Sequence, residues 1–351
     1  MTMPRKHVVL PQTNAVYHCI SRCVRRAFLC GFDTLTEKGY EHRRKWIEDR
    51  ISFLTRLFCI EIYSYAIMSN HFHVVLATDF KKAVALSDRE IAKRWLELTA
   101  KQRNEDGNPI QATEMTVEAL LGNPDVIHLY RSRLSDVSWF MRYINEWVAR
   151  KANKEDDCKG RFWEGRFKCQ RLEDRGAILT CMAYVDLNPV RAAIAETPET
   201  SEYTSVYQRI RSRQARENER ASREIRAKRY QPKQISELFR ENDEALKQGD
   251  CLSPIENIFE GIALDDYLEL IDYTGRELRE GKRGRIPPHL CGILHRLDLD
   301  HENWVESVSR YGSLFYYFAG KLEHLIEAMQ RINREWCWGK RGSEQIYRSA
   351  S

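Results

Sequence analysis

The sequence has no apolar run approaching the ~20 residues that would cross a bilayer, no C-x-x-C pair and no internal repeat. The first absence excludes a helical membrane protein. Ten cysteines in 351 residues are too sparse for a disulfide scaffold. Cys19 and Cys23, with Cys30 beyond, come nearest to a paired motif, and no four ligands assemble into a zinc site. Reduced thiols in a cytoplasmic protein are the expectation. A large excess of one charge is also missing. Lys and Arg number 56 against 51 Asp and Glu, a net charge of +5, so any role for the cations depends on where they lie. Residues Met1 to His7 begin basic, but no apolar stretch follows, so no secretory signal is expected.

Material for a core is abundant. Eight Trp, sixteen Tyr and thirteen Phe, within a hydrophobic content of 42%, exclude disorder over most of the chain. The length suggests about two domains. Residues 14–23 read as a strand, with Arg22 near its end and Arg25 and Arg26 just after. Residues 40–58 read as an amphipathic helix carrying Trp46, Ile47, Ile51 and Leu54 on its apolar face. A strand over 60–68 should place Ile60, Ile62, Ser64, Ala66 and Met68 on one side. Ser69 and Asn70 then make a short turn, and 71–78 returns antiparallel. Residues 79–132 look like an insertion holding one helix (about 87–103) and a polar loop at 104–109. Ser135 to Lys151 is a further helix, 152–160 a charged loop, and 161–169 the approach to a short strand. A last helix runs from Arg175 past Val185 and ends near Asn188 and Pro189. This order predicts an α+β fold, an antiparallel sheet with helices packed on it. The expected organisation is a first domain over 1–205, a basic linker helix over 206–231 and a helical domain over 232–351. Arg209 to Arg229 holds nine Lys or Arg against three Glu, which suits either a solvated linker or a helix facing nucleic acid.

Chemistry concentrates in two places. In His71-Phe72-His73 the two imidazoles lie two residues apart on a strand, so they share a face and can share a metal ion. Tyr184 and Asn188 are spaced i, i+4 on a helix, which also puts them on one face. The plain alternative is a surface tyrosine and an asparagine at a helix end. Tyr143 is a second tyrosine to weigh, but Trp139, Phe140, Ile144 and Trp147 around it suggest packing. Arg161, Arg166 and Lys168 flank Trp163 and Phe167. Interleaved cations and rings suit single-stranded nucleic acid, with the rings as core residues as the alternative.

Four blocks together resemble the REP-associated tyrosine transposases, single-strand DNA transposases of the HUH endonuclease superfamily. They are Val16-Tyr-His-Cys-Ile-Ser-Arg22, Ala66-Ile-Met-Ser-Asn-His-Phe-His-Val-Val75, Gly160-Arg-Phe-Trp-Glu-Gly-Arg-Phe-Lys168 and Tyr184-Val-Asp-Leu-Asn-Pro-Val-Arg-Ala192. The resemblance covers about residues 8–210. The insertion is longer than the family pattern, and the blocks say nothing of 232–351. The resemblance implies a ferredoxin- or RRM-like HUH nuclease core and a one-tyrosine mechanism. Tyr184 would be the nucleophile. His71, His73 and Asn188 would hold Mg²⁺ or Mn²⁺. Arg22, Arg25, Arg26, Arg161, Arg166 and Lys168 would meet DNA. The expected substrate is single-stranded DNA with hairpins, cleaved through a 5′-phosphotyrosine by a monomer or homodimer in the bacterial cytoplasm, at the nucleoid, with no membrane partner. His18 is a candidate base for Tyr184 only if its strand lies beside His71. A hairpin-binding regulator without nuclease activity, a small-molecule hydrolase and an RNA endonuclease are the competing classes.

Overall fold

A computed structural model describes residues 3–24, 29–33, 37–100, 110, 112–227, 251–280, 287–334 and 338–347. Strands β1 (Ala15–Arg22), β4 (Ile60–Ile67), β5 (His71–Thr78), β6 (Lys168–Leu172) and β7 (Phe318–Ala319) form one sheet in the order β4-β5-β1-β6-β7. A small pair, β2 (Phe32–Asp33) and β3 (Lys38–Gly39), stands apart from it. The first four strands of the main sheet pair antiparallel, as the short β4–β5 turn demands. β7 joins β6 parallel, so the sheet is mixed and not wholly antiparallel as expected.

Alternation along the strands gives the sheet two separate cores. Tyr17 and Cys19 of β1 and Phe72, Val74 and Leu76 of β5 point to one side. There they meet the apolar stripes of α2 (His42–Leu57) and α7 (Val137–Glu155). Val75 and Leu172 point to the other side, against α8 (Arg175–Asp186). Every α8 residue except Arg175 and Tyr184 is buried, because the sheet covers one face and the C-terminal helices cover the other. Those helices include Leu264–Glu280, Trp304–Leu314 and Leu322–Arg331. Residues of the expected C-terminal unit thus contribute to the same core as α8 and to the same sheet as β6.

Three expectations need correction. A β-bulge between Ile62 and Ser64 reverses the facing of β4 midway. Ile60 and Ile62 join the α2 core, while Ala66 and Met68 join the α8 core, so the five residues do not share a side. The insertion is more helical than expected. It holds α3 (Phe80–Ala85), α4 (Asp88–Thr99), α5 (Glu114–Leu121) and α6 (Pro124–Leu134). Ser87, Thr113 and Asn123 cap three of these through their side chains, signals that mark the starts in the sequence. The polar stretch 104–109 lies outside the described residues. The helix expected to end at Lys151 continues through Glu155, four residues into the supposed loop.

α8 stops because Pro189 has no N–H to continue the ladder. The chain turns at Leu187 and restarts as the short helix α9 (Asn188–Arg191), with Pro189 in its first turn. A basic helix, α10, spans Ser205–Ala227. Its first turns are seated in the fold, with Ser205, Val206 and Arg209 buried.

Candidate active site

Strand pairing assembles the site first. β1 lies between β5 and β6, with His18 opposite Val75, Ile20 opposite His73 and Arg22 opposite His71. Opposed residues share a face. His18, Arg22, His71, His73, Lys168 and Gln170 therefore project from the same side of the sheet, the α8 side. The two-residue turn before His71 is held in place. Its Ser69 and Asn70 carbonyls accept from the N–H groups of Cys30 and Cys23 at 2.9 and 3.0 Å.

The second half comes from α8 and α9. Between Gly176 and Val190 every residue is buried except Tyr184. That ring looks out of an otherwise sealed helix into a cavity of about 810 Å³. Its centroid lies 5.8 Å from that of His73 and 6.2 Å from that of His18. One turn on, the Asn188 amide nitrogen stands 2.9 Å from His73 Nε2. The His71 and His73 ring centroids are 4.8 Å apart. Tyr184, His71, His73 and Asn188 thus line one cavity.

The wall opposite the sheet was not anticipated. Tyr311, from the Trp304–Leu314 helix, packs 5.5 Å from Tyr184 between ring centroids and donates its hydroxyl to Gln170 Oε1 at 2.8 Å. The Arg191 guanidinium lies over the Tyr184 ring, 4.4 Å from its centroid. Arg191 had a visible signal, because positions 184, 188 and 191 fall on one helical face. Gln170 alternates with Lys168 on β6 and is legible once that strand is placed beside β1. Tyr311 has no local signal, since only tertiary packing carries it to the site.

Electrostatics keep the imidazoles neutral. Burial pushes His71 down to about 4, with Arg22 and Lys168 adding to the effect. Burial likewise takes His18 to about 4, and His73 is driven well below the ordinary histidine range by burial and then by His18 and His71. Neutral imidazoles can serve as ligands at physiological pH. The Asn188 amide, whose nitrogen stands 2.9 Å from His73 Nε2, also carries an oxygen donor beside that ring. Among the described residues no group of three or more His, Cys, Asp or Glu is arranged to hold a metal. His71, His73 and Asn188 fall outside that definition because the third member is an amide.

The remaining expected residues divide. Arg22, Arg166 and Lys168 are exposed and line the cavity. Arg161 is exposed but does not line it. Arg25 and Arg26 lie outside the described residues. Trp163 and Phe167 do not stand exposed as the pattern suggested, although Phe167 still borders the cavity. Both are buried; the Trp163 indole donates to the Asn145 carbonyl at 2.8 Å and Arg5 covers the Phe167 ring. Tyr143 packs in the α2–α7 core on the far side of the sheet, against Phe58, Trp95 and Trp139. His18 does lie on the strand beside β5. Its Nε2 is 2.8 Å from His73 Nδ1, so that nitrogen is not open to Tyr184 as a base.

No family model matches the chain and no curated protein matches it. A solved structure of a REP-associated tyrosine transposase bound to a REP hairpin aligns over 60% of this chain and 86% of its own. The identity is 10% and the TM-score 0.36. Such a likeness is too loose to transfer residues from one chain to the other. No helix among the described residues is long and apolar enough to cross a membrane.

Proposed function

We propose that this chain is a metal-dependent single-stranded DNA endonuclease and strand transferase of the REP-associated tyrosine transposase type. The observation that carries the reading is Tyr184. It is the sole partly exposed side chain between residues 176 and 190, and it opens onto the cavity that holds His71, His73 and Asn188. The strand order supports it as well. A β-α-β-β-α-β chain with β4-β5-β1-β6 in space has the ferredoxin-like arrangement of an HUH core. α8 adds the tyrosine on the face that α2 and α7 leave free.

Each residue then has a task. Arg22, Arg166, Lys168 and Arg191 draw the phosphate backbone of a single strand into the cavity. Arg191 and Tyr311 fix the Tyr184 ring between them. The Tyr184 oxygen attacks the scissile phosphorus, forming the O–P bond of a 5′-phosphotyrosine as the bond to the 3′ oxygen breaks and a free 3′-OH leaves. Attack by another 3′-OH reverses the step and restores a phosphodiester without a nucleotide cofactor. His71, His73 and Asn188 would hold Mg²⁺ or Mn²⁺, which would neutralise the charge that develops on the phosphate oxygens. DNA hairpins are the proposed recognition element next to the cleaved strand, and the bacterial nucleoid the place of action.

The test is adduct formation on hairpin-bearing single-stranded DNA in Mn²⁺, read as a covalent protein–DNA band. The full chain should form it, Tyr184→Phe should not while still binding, and EDTA should abolish it. A normal adduct from Tyr184→Phe would overturn the assignment. The runner-up is a hairpin-binding regulator that relies on the same cation-lined cavity. Wild-type binding with no adduct under any divalent ion would select it.

A further inference from the structure

Behind His73 runs a chain of hydrogen bonds that the cleavage steps do not use. Tyr311 donates its hydroxyl to Gln170 Oε1 at 2.8 Å. Gln170 stands directly across from His18 on β6, with both side chains on the cavity side of the sheet. His18 Nε2 lies 2.8 Å from His73 Nδ1, with the two ring planes 13° from parallel. His73 Nε2 then faces the Asn188 amide in the cavity. His18, His73, Gln170 and Tyr311 are all buried.

A neutral imidazole has one donor and one acceptor, so each bond in such a chain dictates the next. Gln170 Oε1 accepts from Tyr311, and its second lone pair is left as the acceptor for the cross-strand His18. The His18 nitrogen remaining for Gln170 is Nδ1, which must then carry the proton. His18 Nε2 is left bare and accepts from His73 Nδ1–H. His73 Nε2 ends with its lone pair toward the cavity. We infer that Tyr311, Gln170 and His18 form a relay that holds His73 in the Nδ1–H tautomer, with Nε2 bare and aimed at the Asn188 amide. His71 reaches the same state by a shorter route, through its own neighbour Asn70, whose Oδ1 lies 2.6 Å from His71 Nδ1. The three relay residues are positioning residues. They also give the C-terminal segment a definite task, since Tyr311 is the relay's far end. The consequence for metal affinity rests on the function proposed above; the tautomer itself does not.

The two are separated by measuring the tautomer in metal-free protein. Long-range ¹H–¹⁵N correlation of histidine-labelled full-length chain should show His73 protonated at Nδ1 in the wild type. His18→Leu removes the acceptor and should shift His73 toward Nε2–H. His18→Gln supplies an amide oxygen and should retain Nδ1–H. Tyr311→Phe frees the Gln170 amide to turn and should give a mixture, which keeps the test alive if His18→Leu fails to fold. A wild-type His73 protonated at Nε2, or a His73 unmoved in both His18→Leu and Tyr311→Phe, would overturn the relay. Mn²⁺ affinity should fall ~10–100-fold in His18→Leu, as for outer-layer partners of metal-bound histidines, and stay near wild type in His18→Gln. If the wild type has the stated tautomer but binds no Mn²⁺, the relay stands and the metal reading falls.

Discussion

Gly312 faces the Tyr184 hydroxyl with no room for a side chain: a β-carbon there would stand 2.9 Å from the phenol oxygen. Gly312 sits inside the Trp304–Leu314 helix, where alanine ordinarily favours the helix by up to ~1 kcal/mol. The Tyr184 ring is bounded by Arg191 and Tyr311, so an added methyl must push it outward into the cavity. Misplacing a nucleophile by ~1 Å can cost ~100-fold in rate. Gly312→Ala should therefore lower the adduct rate 10-fold or more while thermal stability holds or rises slightly. An unchanged rate in a folded variant would show that the ring does not depend on this clearance.

Asp186 locks α8 to three other elements. Its carboxylate accepts from Ser64 at 3.0 Å, from Tyr267 at 2.6 Å and from Ser205. Burial raises its pKa against the pull of those bonds. A raised carboxyl pKa contributes stability below the unfolded value of ~3.9, and that contribution is lost as pH rises through the folded value. Asp186→Ala strands buried hydroxyls at roughly 1–3 kcal/mol each and should lower the melting temperature strongly. Asp186→Asn should be milder and should flatten the loss of stability with rising pH. Equal melting curves for the two variants would contradict this.

What the sequence disclosed here, and what it hid, follows the range of the interactions. The two-residue periodicity of 71–78 and the turn at Ser69 and Asn70 are local, and β5 spans those residues. So are the helix around Tyr184 and its end before Pro189. The β4 bulge was hidden because Ser64 faces α8 to reach Asp186, a contact of long range that alternation cannot reveal. Trp163 and Phe167 carried a nucleic-acid pattern, yet burial rather than composition decides their role. Tyr311 and β7 were out of reach, since a two-residue strand and a single ring are placed only by the core they complete.

The buried His18 and the half-buried His71 give the protein an acid limit. His18 and His71 are held down to about 4 in the fold, against ~6.5 for an unfolded histidine. Between those values the unfolded chain binds more protons, so stability falls as pH drops from about 6.5 toward 4. Melting temperature should be flat above pH 7 and decline through that window. His71→Gln should flatten part of the decline. A midpoint that holds steady from pH 7 to pH 4.5 would mean that these rings take up protons without penalty.

The basic helix and the cavity cations make different claims on DNA, and salt dependence separates them. Arg209 is buried and donates to the Tyr63 carbonyl at 2.9 Å. Arg213 is paired with Asp265 at 2.6 Å and with Glu217 at 3.4 Å. Two of the early cations of α10 are therefore already engaged by partners within the protein. Arg22 and Lys168, by contrast, are exposed beside His71, where both act on its imidazole. Every phosphate of a single strand that a cation no longer neutralises should reduce the log–log salt slope by ~0.7. Arg22→Gln with Lys168→Gln should thus flatten the slope by ~1.4 and weaken binding at low salt, where the wild type binds most tightly. Replacing Arg213, Arg216, Arg220 and Arg223 by Gln should change it less, despite removing twice as many charges. If the four helix substitutions flatten the slope more than the two at the cavity, the DNA runs along α10 and not across the face that carries Tyr184.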